Sequence, residues 1–151
     1  MIYGDPFYFS LQFDVVESWN SSDGFWKNGI FFFYLDGHKI FDLLDVFELK
    51  TTFSFYLNMK IDELVCNDVN IEPVSLYRNA ENYFTGDGEN LIEGLFDMTC
   101  TPMGDNGYYV YFMKTSHNDR FVWSNDDGKT INETLLPSGT VSSVIKKLSN
   151  S

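Results

Sequence analysis

Basic residues are scarce in this chain: ten Lys and Arg stand against 22 Asp and Glu, a formal charge of −12. The deficit is not local. Residues 1–75 hold twelve acids and four bases, and residues 76–151 hold ten and six. No solvated acidic tail explains it, so the charge belongs to the folded surface. Nucleic acid carries the same sign, which disfavours direct binding to it. A basic protein partner is favoured, because opposite fields speed encounter and hold register; the plainer reading is that the charge keeps the chain soluble. Histidine is limited to His38 and His117, each beside a turn. Cysteine is limited to Cys66 and Cys100, far apart and without CxxC spacing, which reads as two reduced, buried thiols in a cytosolic protein. The first residues, Met1-Ile2-Tyr3-Gly4-Asp5-Pro6, lack the basic and apolar regions of a signal peptide. Neither GxxxxGK[ST] nor GxGxxG occurs, and there is no internal repeat, linker or low-complexity tract.

What the chain has in quantity is aromatic residues: fifteen Phe, nine Tyr and three Trp, 18% in all. Such side chains fit a pleated surface and favour a sheet-rich protein. A length of 151 residues suits one domain, 1–151, with a core that needs no staple. The organising stretch is Trp26-Lys27-Asn28-Gly29-Ile30-Phe31-Phe32-Phe33-Tyr34-Leu35, ending on Asp36-Gly37. It is too short for a membrane span and reads as a central strand buried on both faces, closed by a two-residue hairpin.

Around it, Gly4-Asp5-Pro6 reads as a turn, and Phe7 to Trp19 alternates as a strand. His38 to Phe41 is a third strand. Residues 43–64 fit both a strand and a helical face; the Thr51-Thr52-Phe53 cluster favours strand, with a short helical turn at Asp62. Pro73 opens a helix carrying Leu76, Tyr77, Ala80, Tyr83 and Phe84, ended by Gly86-Asp87-Gly88 in a left-handed cap. Leu91 to Thr101 reads as a strand, Gly104-Asp105-Asn106-Gly107 as a hairpin turn, and Tyr108 to Thr115 and Arg120 to Ser124 as paired strands. Asn125-Asp126-Asp127-Gly128 turns into a weak strand, Lys129 to Glu133. Thr140 caps a last helix with its hydroxyl as acceptor, and Lys146 and Lys147 suit that helix's C-terminal dipole. The class is α+β: a single domain with a meandering antiparallel sheet and about two packed helices.

Catalytic and ligand-binding signals are weak. A Cys66 or Cys100 nucleophile with a histidine base has no local support. The Asp-rich stretches at 86–90 and 125–128 fail as calcium loops: with Gly128 as the loop glycine, Trp123 and Thr134 would fall on ligand positions. They read as turns whose Asp and Asn cap their own backbone. No cofactor or metal site is expected. Trp19, Trp26 and Trp123 could stack on sugar rings, so a carbohydrate- or small-ligand-binding module is the alternative reading, although core packing is their commoner role.

The run Ile2-Tyr3-Gly4-Asp5-Pro6 before an alternating strand, then Trp19, Trp26-Lys27-Asn28-Gly29 and Asp36-Gly37, resembles the immunity 42 family of bacterial polymorphic-toxin systems. So does the closing Leu136-Pro137-Ser138-Gly139-Thr140-Val141 with Val144-Ile145-Lys146-Lys147-Leu148. The likeness covers about the first forty and last fifteen residues. It implies a cytoplasmic, non-enzymatic immunity protein that binds and neutralises a cognate toxin domain, as in contact-dependent growth inhibition. Many such toxins are basic nucleases, whose substrate cleft a −12 inhibitor would suit. The resemblance transfers no active site, and Gly4, Asp5 and Pro6 look structural. Turn position and charge instead nominate Asp23, Asp36, Asp87, Glu89, Asp105, Asp119, Asp126 and Asp127 as toxin contacts. Tyr109 and Trp123 are candidate aromatic anchors. The oligomeric state is left open.

Overall fold

The computed structural model describes residues 1–22, 24, 27–41 and 47–151. These form two compact units: Met1–Met59 with Val141–Ser151, and Lys60–Thr140. The class is α+β, with antiparallel strands and four α-helices among the described residues. The strands fall into two sheets where the sequence reading has one meander. The physical reason is that the stretch after the first five strands turns helical, from Leu49, and ends the first sheet.

In the first unit, β1 (Ile2–Asp5), β2 (Phe9–Val15), β3 (Asn28–Leu35) and β4 (His38–Phe41) lie in that order, and β5 (Phe47–Glu48) also pairs with β3. The central role read for the aromatic run is observed, with the strand beginning at Asn28; Trp26 lies outside the described residues. Along one side β3 pairs with β2 from Val15↔Gly29 to Phe9↔Leu35. Its other side is shared by β4 and β5. Phe9, Leu11 and Phe13 on β2 and Phe31, Phe33 and Leu35 on β3 are buried. Phe32, of opposite parity, is covered by the Lys39 ammonium, 4.0 Å from its ring centroid. Asp36 and Gly37 have φ of +50° and +78°, the two positive values that a tight primed hairpin turn requires.

Gly4 and Asp5 belong to β1, not to a turn, and the strand read from Phe7 to Trp19 is confined to Phe9–Val15, with a short 3-10 turn at Glu17–Trp19. The turn is Pro6–Tyr8. The Asp5 carboxylate accepts from the Phe7 amide at 2.9 Å, and the Asp5 carbonyl accepts from the Tyr8 amide at 2.9 Å. Gly4 has φ +99°, and a Cβ there would lie 2.4 Å from the Phe9 carbonyl oxygen and 2.7 Å from Val144 Cγ2. Only glycine satisfies both the backbone and the space.

Residues Leu49–Leu57 form helix α1, which corrects the strand reading there; residues 42–46 lie outside the described set. Glu48 is its N-cap, accepting from the Thr51 amide at 2.6 Å and the Lys50 amide at 3.2 Å. Burial pushes the Glu48 carboxyl up, but hydrogen bonds from Thr51, Lys27 and Lys50 outweigh it and hold the pKa below its ordinary value. α1 sets Tyr56 stacked on Phe31, centroids 5.6 Å apart, and Phe53 edge-on to Phe13 at 5.3 Å. Helix α4 (Thr140–Ser149) buries Val141, Val144, Ile145 and Leu148. The Thr140 hydroxyl donates to the Pro137 carbonyl at 2.5 Å; it is a donor within the first turn, where the sequence reading has an acceptor cap.

The second unit holds α2 (Pro73–Thr85), β6 (Phe96–Asp97), α3 (Thr101–Asp105), β7 (Tyr109–Lys114), β8 (Asn118–Ser124) and β9 (Asn132–Pro137), with sheet order β6-β7-β8-β9. The apolar stripe of α2 does what its spacing predicts: Leu76, Tyr77 and Ala80 pack with Tyr111, Met113, Val122 and Leu95. Its end differs. Gly86 has φ −139°, not a left-handed value, and the closing bond runs from the Gly88 amide to the Asn82 carbonyl at 2.8 Å. Only Phe96 and Asp97 of the Leu91–Thr101 stretch are strand. Beyond them the Thr99 hydroxyl accepts from the Val110 amide at 2.9 Å, a side chain standing in for the ladder. Pro102 then helps start α3, displacing the expected hairpin turn at Gly104. The last strand lies three residues later than read, because the Asp126 carboxylate accepts from the Thr130 amide and extends the turn. Cys100 is buried as expected; Cys66 is exposed, which corrects its assignment to the core.

Candidate functional site

The second unit gathers four of the sequence-nominated residues at one end of its sheet. Tyr109 opens β7 opposite Ser124 at the close of β8. Beyond that pair the Asp127 amide donates to the Gly107 carbonyl at 2.9 Å, fastening the two adjoining turns. The Tyr109 hydroxyl has its pKa raised, first by burial and then by the carboxylates of Asp127, Glu81, Asp105 and Asp97. Glu81 arrives from α2, where it pairs with Arg78 at 3.0 Å. Asp97 comes from β6, and burial raises its pKa despite a hydrogen bond from the Thr99 amide. The end of the sheet therefore carries a half-buried phenol whose ionisation is opposed by the carboxylates of four segments.

Asp126 lies in the same turn, but one of its oxygens is engaged twice: Oδ1 accepts from Ser124 Oγ at 2.7 Å and from the Thr130 amide at 2.8 Å. These bonds, the Thr130 amide foremost, hold its carboxyl down to about 2. It is a turn cap, as its Asp-rich setting implies. Trp123 is half-buried and its indole Nε1 donates to Thr134 Oγ1 at 3.0 Å. Asp119 is 2% exposed and accepts from the Gly139 amide at 3.4 Å; this corrects its reading as a surface contact, because β8 lies between β7 and β9 and is buried on both faces from Asp119 to Val122. Asp87 and Glu89 are exposed after α2, and Asp36 is exposed on the β3–β4 hairpin of the other unit. Asp23 lies outside the described residues.

A second feature was not nominated from sequence. Where α2 stops covering the sheet, a groove of about 650 Å³ opens between the chain entering α2 and the margin of β8 and β9. Val69, Ile71 and Leu135 supply its apolar surface, and Asp68, Glu72 and Glu133 its acids. Arg120, only 9% exposed, forms the floor; it donates through Nε to Glu133 at 2.7 Å and through Nη2 to the Ile71 carbonyl at 2.6 Å. Asp68 accepts from both the amide and the hydroxyl of Ser116 at 2.8 Å, which lowers its pKa. Sequence carried one signal of this groove, the alternation Glu133, Leu135, Pro137 against buried Thr134 and Leu136, hidden by placing the strand too early.

His38 and His117 are exposed, one in each unit. Among the described residues no group of three or more His, Cys, Asp or Glu could hold a metal ion, and no helix is long and apolar enough to cross a membrane. The arrangement offers charge, an apolar margin and backbone, which are the means of binding another macromolecule.

Comparison with known proteins agrees in scale. The family model described as Immunity protein 42 matches residues 1–151. The solved crystal structure of CdiI from Burkholderia dolosa AUO158 superposes with a TM-score of 0.75 at 19% sequence identity, covering 100% of both chains. At that identity the likeness is one of fold. No curated protein matches the chain.

Proposed function

The chain belongs to the immunity protein 42 family, and from that premise we propose that it binds a cognate toxin domain and neutralises it by forming a stoichiometric complex, with no chemistry of its own. The observation that carries this reading is the family match along the whole chain, residues 1–151. The carboxylates whose field reaches Tyr109 and the net charge of −12 support a basic toxin, with a nuclease as the fitting class. Among these residues Asp105, Tyr109 and Asp127 are the proposed contacts. Asp126 supports them by ordering the turn, and Asp36, Asp87 and Glu89 are exposed acids that add to the field. Such an inhibitor acts in the cytoplasm, where the toxin would meet its substrate. Protection of a cell calls for dissociation constants near or below nanomolar, about 12 kcal/mol of binding.

The test is co-expression with the toxin domain encoded by the adjoining reading frame. Cells making both grow, cells making the toxin alone do not, and the two proteins co-purify. Growth arrest despite equal expression of a folded chain rejects the reading.

A further inference from the structure

β9 is the outermost strand of its sheet, and no described strand lies on its far side. Backbone bonds outside the regular ladder are numerous in this unit, yet none of those found among the described residues involves an amide of Asn132–Pro137. In an antiparallel pair every second residue of an edge strand turns its N–H and C=O away from its neighbour. An edge of this kind is a template for another strand.

The edge also has a face. Glu133 and Leu135 alternate toward the groove, while Thr134 and Leu136 are buried on the other side. Leu135 is 53% exposed and Val69 40%, so two large apolar side chains that line the groove stand in solvent. Three carboxylates, Asp68, Glu72 and Glu133, face one arginine there. Two devices keep such an edge from pairing indiscriminately: a charge on the strand, here Glu133, and a proline at its end, here Pro137. A strand bringing positive charge opposite Glu133 would be admitted, and one bringing apolar or acidic side chains would be refused.

We infer that β9 and the adjoining groove form the docking edge for the toxin domain, which adds an extended segment to the sheet with a basic and an apolar side chain two positions apart on one face. The inference rests on the function proposed above and names its surface. The basic side chain lies toward Glu133, Asp68 and Glu72. The apolar one covers Leu135 and Val69. Main-chain bonds to β9 supply affinity, and the groove selects the sequence. The carboxylates around Tyr109 lie toward the Asn132 end of the same strand, through the β8 register Trp123↔Asn132. They steer the encounter, and the groove at the Pro137 end holds the docked segment.

Two measurements on the complete chain with its toxin domain test this. Amide hydrogen exchange, compared with and without toxin, is expected to slow at residues 132–136. Leu135→Arg, at an exposed position, is expected to keep the wild-type thermal midpoint and to raise Kd at least tenfold, chiefly through faster dissociation. Leu135→Ser serves if the arginine variant fails to fold. His38→Gln, at an exposed position on the other unit, is expected to bind within twofold of wild type. Unchanged exchange at 132–136 in a formed complex, or L135R binding within twofold of wild type, overturns the docking edge while leaving the proposed function intact. Sedimentation showing that copies of the free chain pair through β9 also overturns it. Absence of any complex with the wild-type chain overturns the function itself.

Discussion

The guanidinium of Arg120 and the carboxylate of Glu133 meet diagonally across β8 and β9, Nε to Oε2 at 2.7 Å. The arginine side chain is 10% exposed and the glutamate 30%, so the pair is unequal: removing the acid strands the more buried partner. Glu133→Ala leaves Arg120 holding only the Ile71 carbonyl. Breaking a fully buried pair costs roughly 3–5 kcal/mol; with one partner in contact with water the expected loss is about 1–3 kcal/mol. Urea unfolding monitored by far-UV circular dichroism measures it.

The Glu48 cap makes a second prediction. Its carboxylate satisfies the Thr51 and Lys50 amides at the open end of α1. Glu48→Ala is expected to cost about 1 kcal/mol, in the range of cap deletions. Glu48→Asp, with a shorter side chain of the same charge, is expected to retain part of it. Thermal midpoints of the two variants check the order.

Which parts of this fold the sequence disclosed follows from how local their causes are. The β3 strand and its Asp36-Gly37 turn were legible because both signals sit in ten consecutive residues. The α2 stripe was legible for the same reason. Helix α1 was not: its cap is a glutamate instead of the usual Ser, Thr, Asp or Asn, and Thr51-Thr52-Phe53 prefers extended backbone when taken alone. What decides for helix is tertiary, the packing of Tyr56 on Phe31 and of Phe53 on Phe13. The same holds for the site. Asp105, Tyr109 and Asp127 could be nominated one by one from turn position, but that they share one end of a sheet with Glu81 and Asp97 depends on pairing between distant strands. The β9 groove left only the alternation of Glu133, Leu135 and Pro137 in the sequence, since an edge strand is defined by what does not pair with it.

Acid should weaken the fold in a defined window. The Asp126 carboxyl is held down to about 2 by Thr130 and Ser124, and an unfolded aspartate titrates near 3.9. A lowered folded pKa means stability that is present above about pH 4 and lost as the pH falls toward 2. Asp68, lowered by its bonds from Ser116, adds to the same trend. Asp126→Asn is expected to be less stable than wild type at pH 7 and to show a smaller further loss between pH 4 and 2. Urea midpoints across pH 2–7 read this directly.

Charge steering is separable from docking. Asp105→Asn with Asp127→Asn removes two of the carboxylates around Tyr109 without touching β9. The association rate with the toxin domain is expected to fall roughly 2–10-fold at low salt, with a shallower dependence on ionic strength and little change in dissociation. Stopped-flow traces from 20 to about 500 mM salt decide it. A rate that ignores salt in the wild-type chain removes steering from the mechanism.

The sharpest measurement is a titration of the purified toxin domain's activity with this chain at toxin concentrations well above Kd. Neutralisation by complex formation predicts a straight-line loss that reaches zero at one equivalent and returns when the complex is dissociated and the toxin refolded. Activity that persists beyond several equivalents, or that disappears at catalytic amounts of the chain, contradicts it.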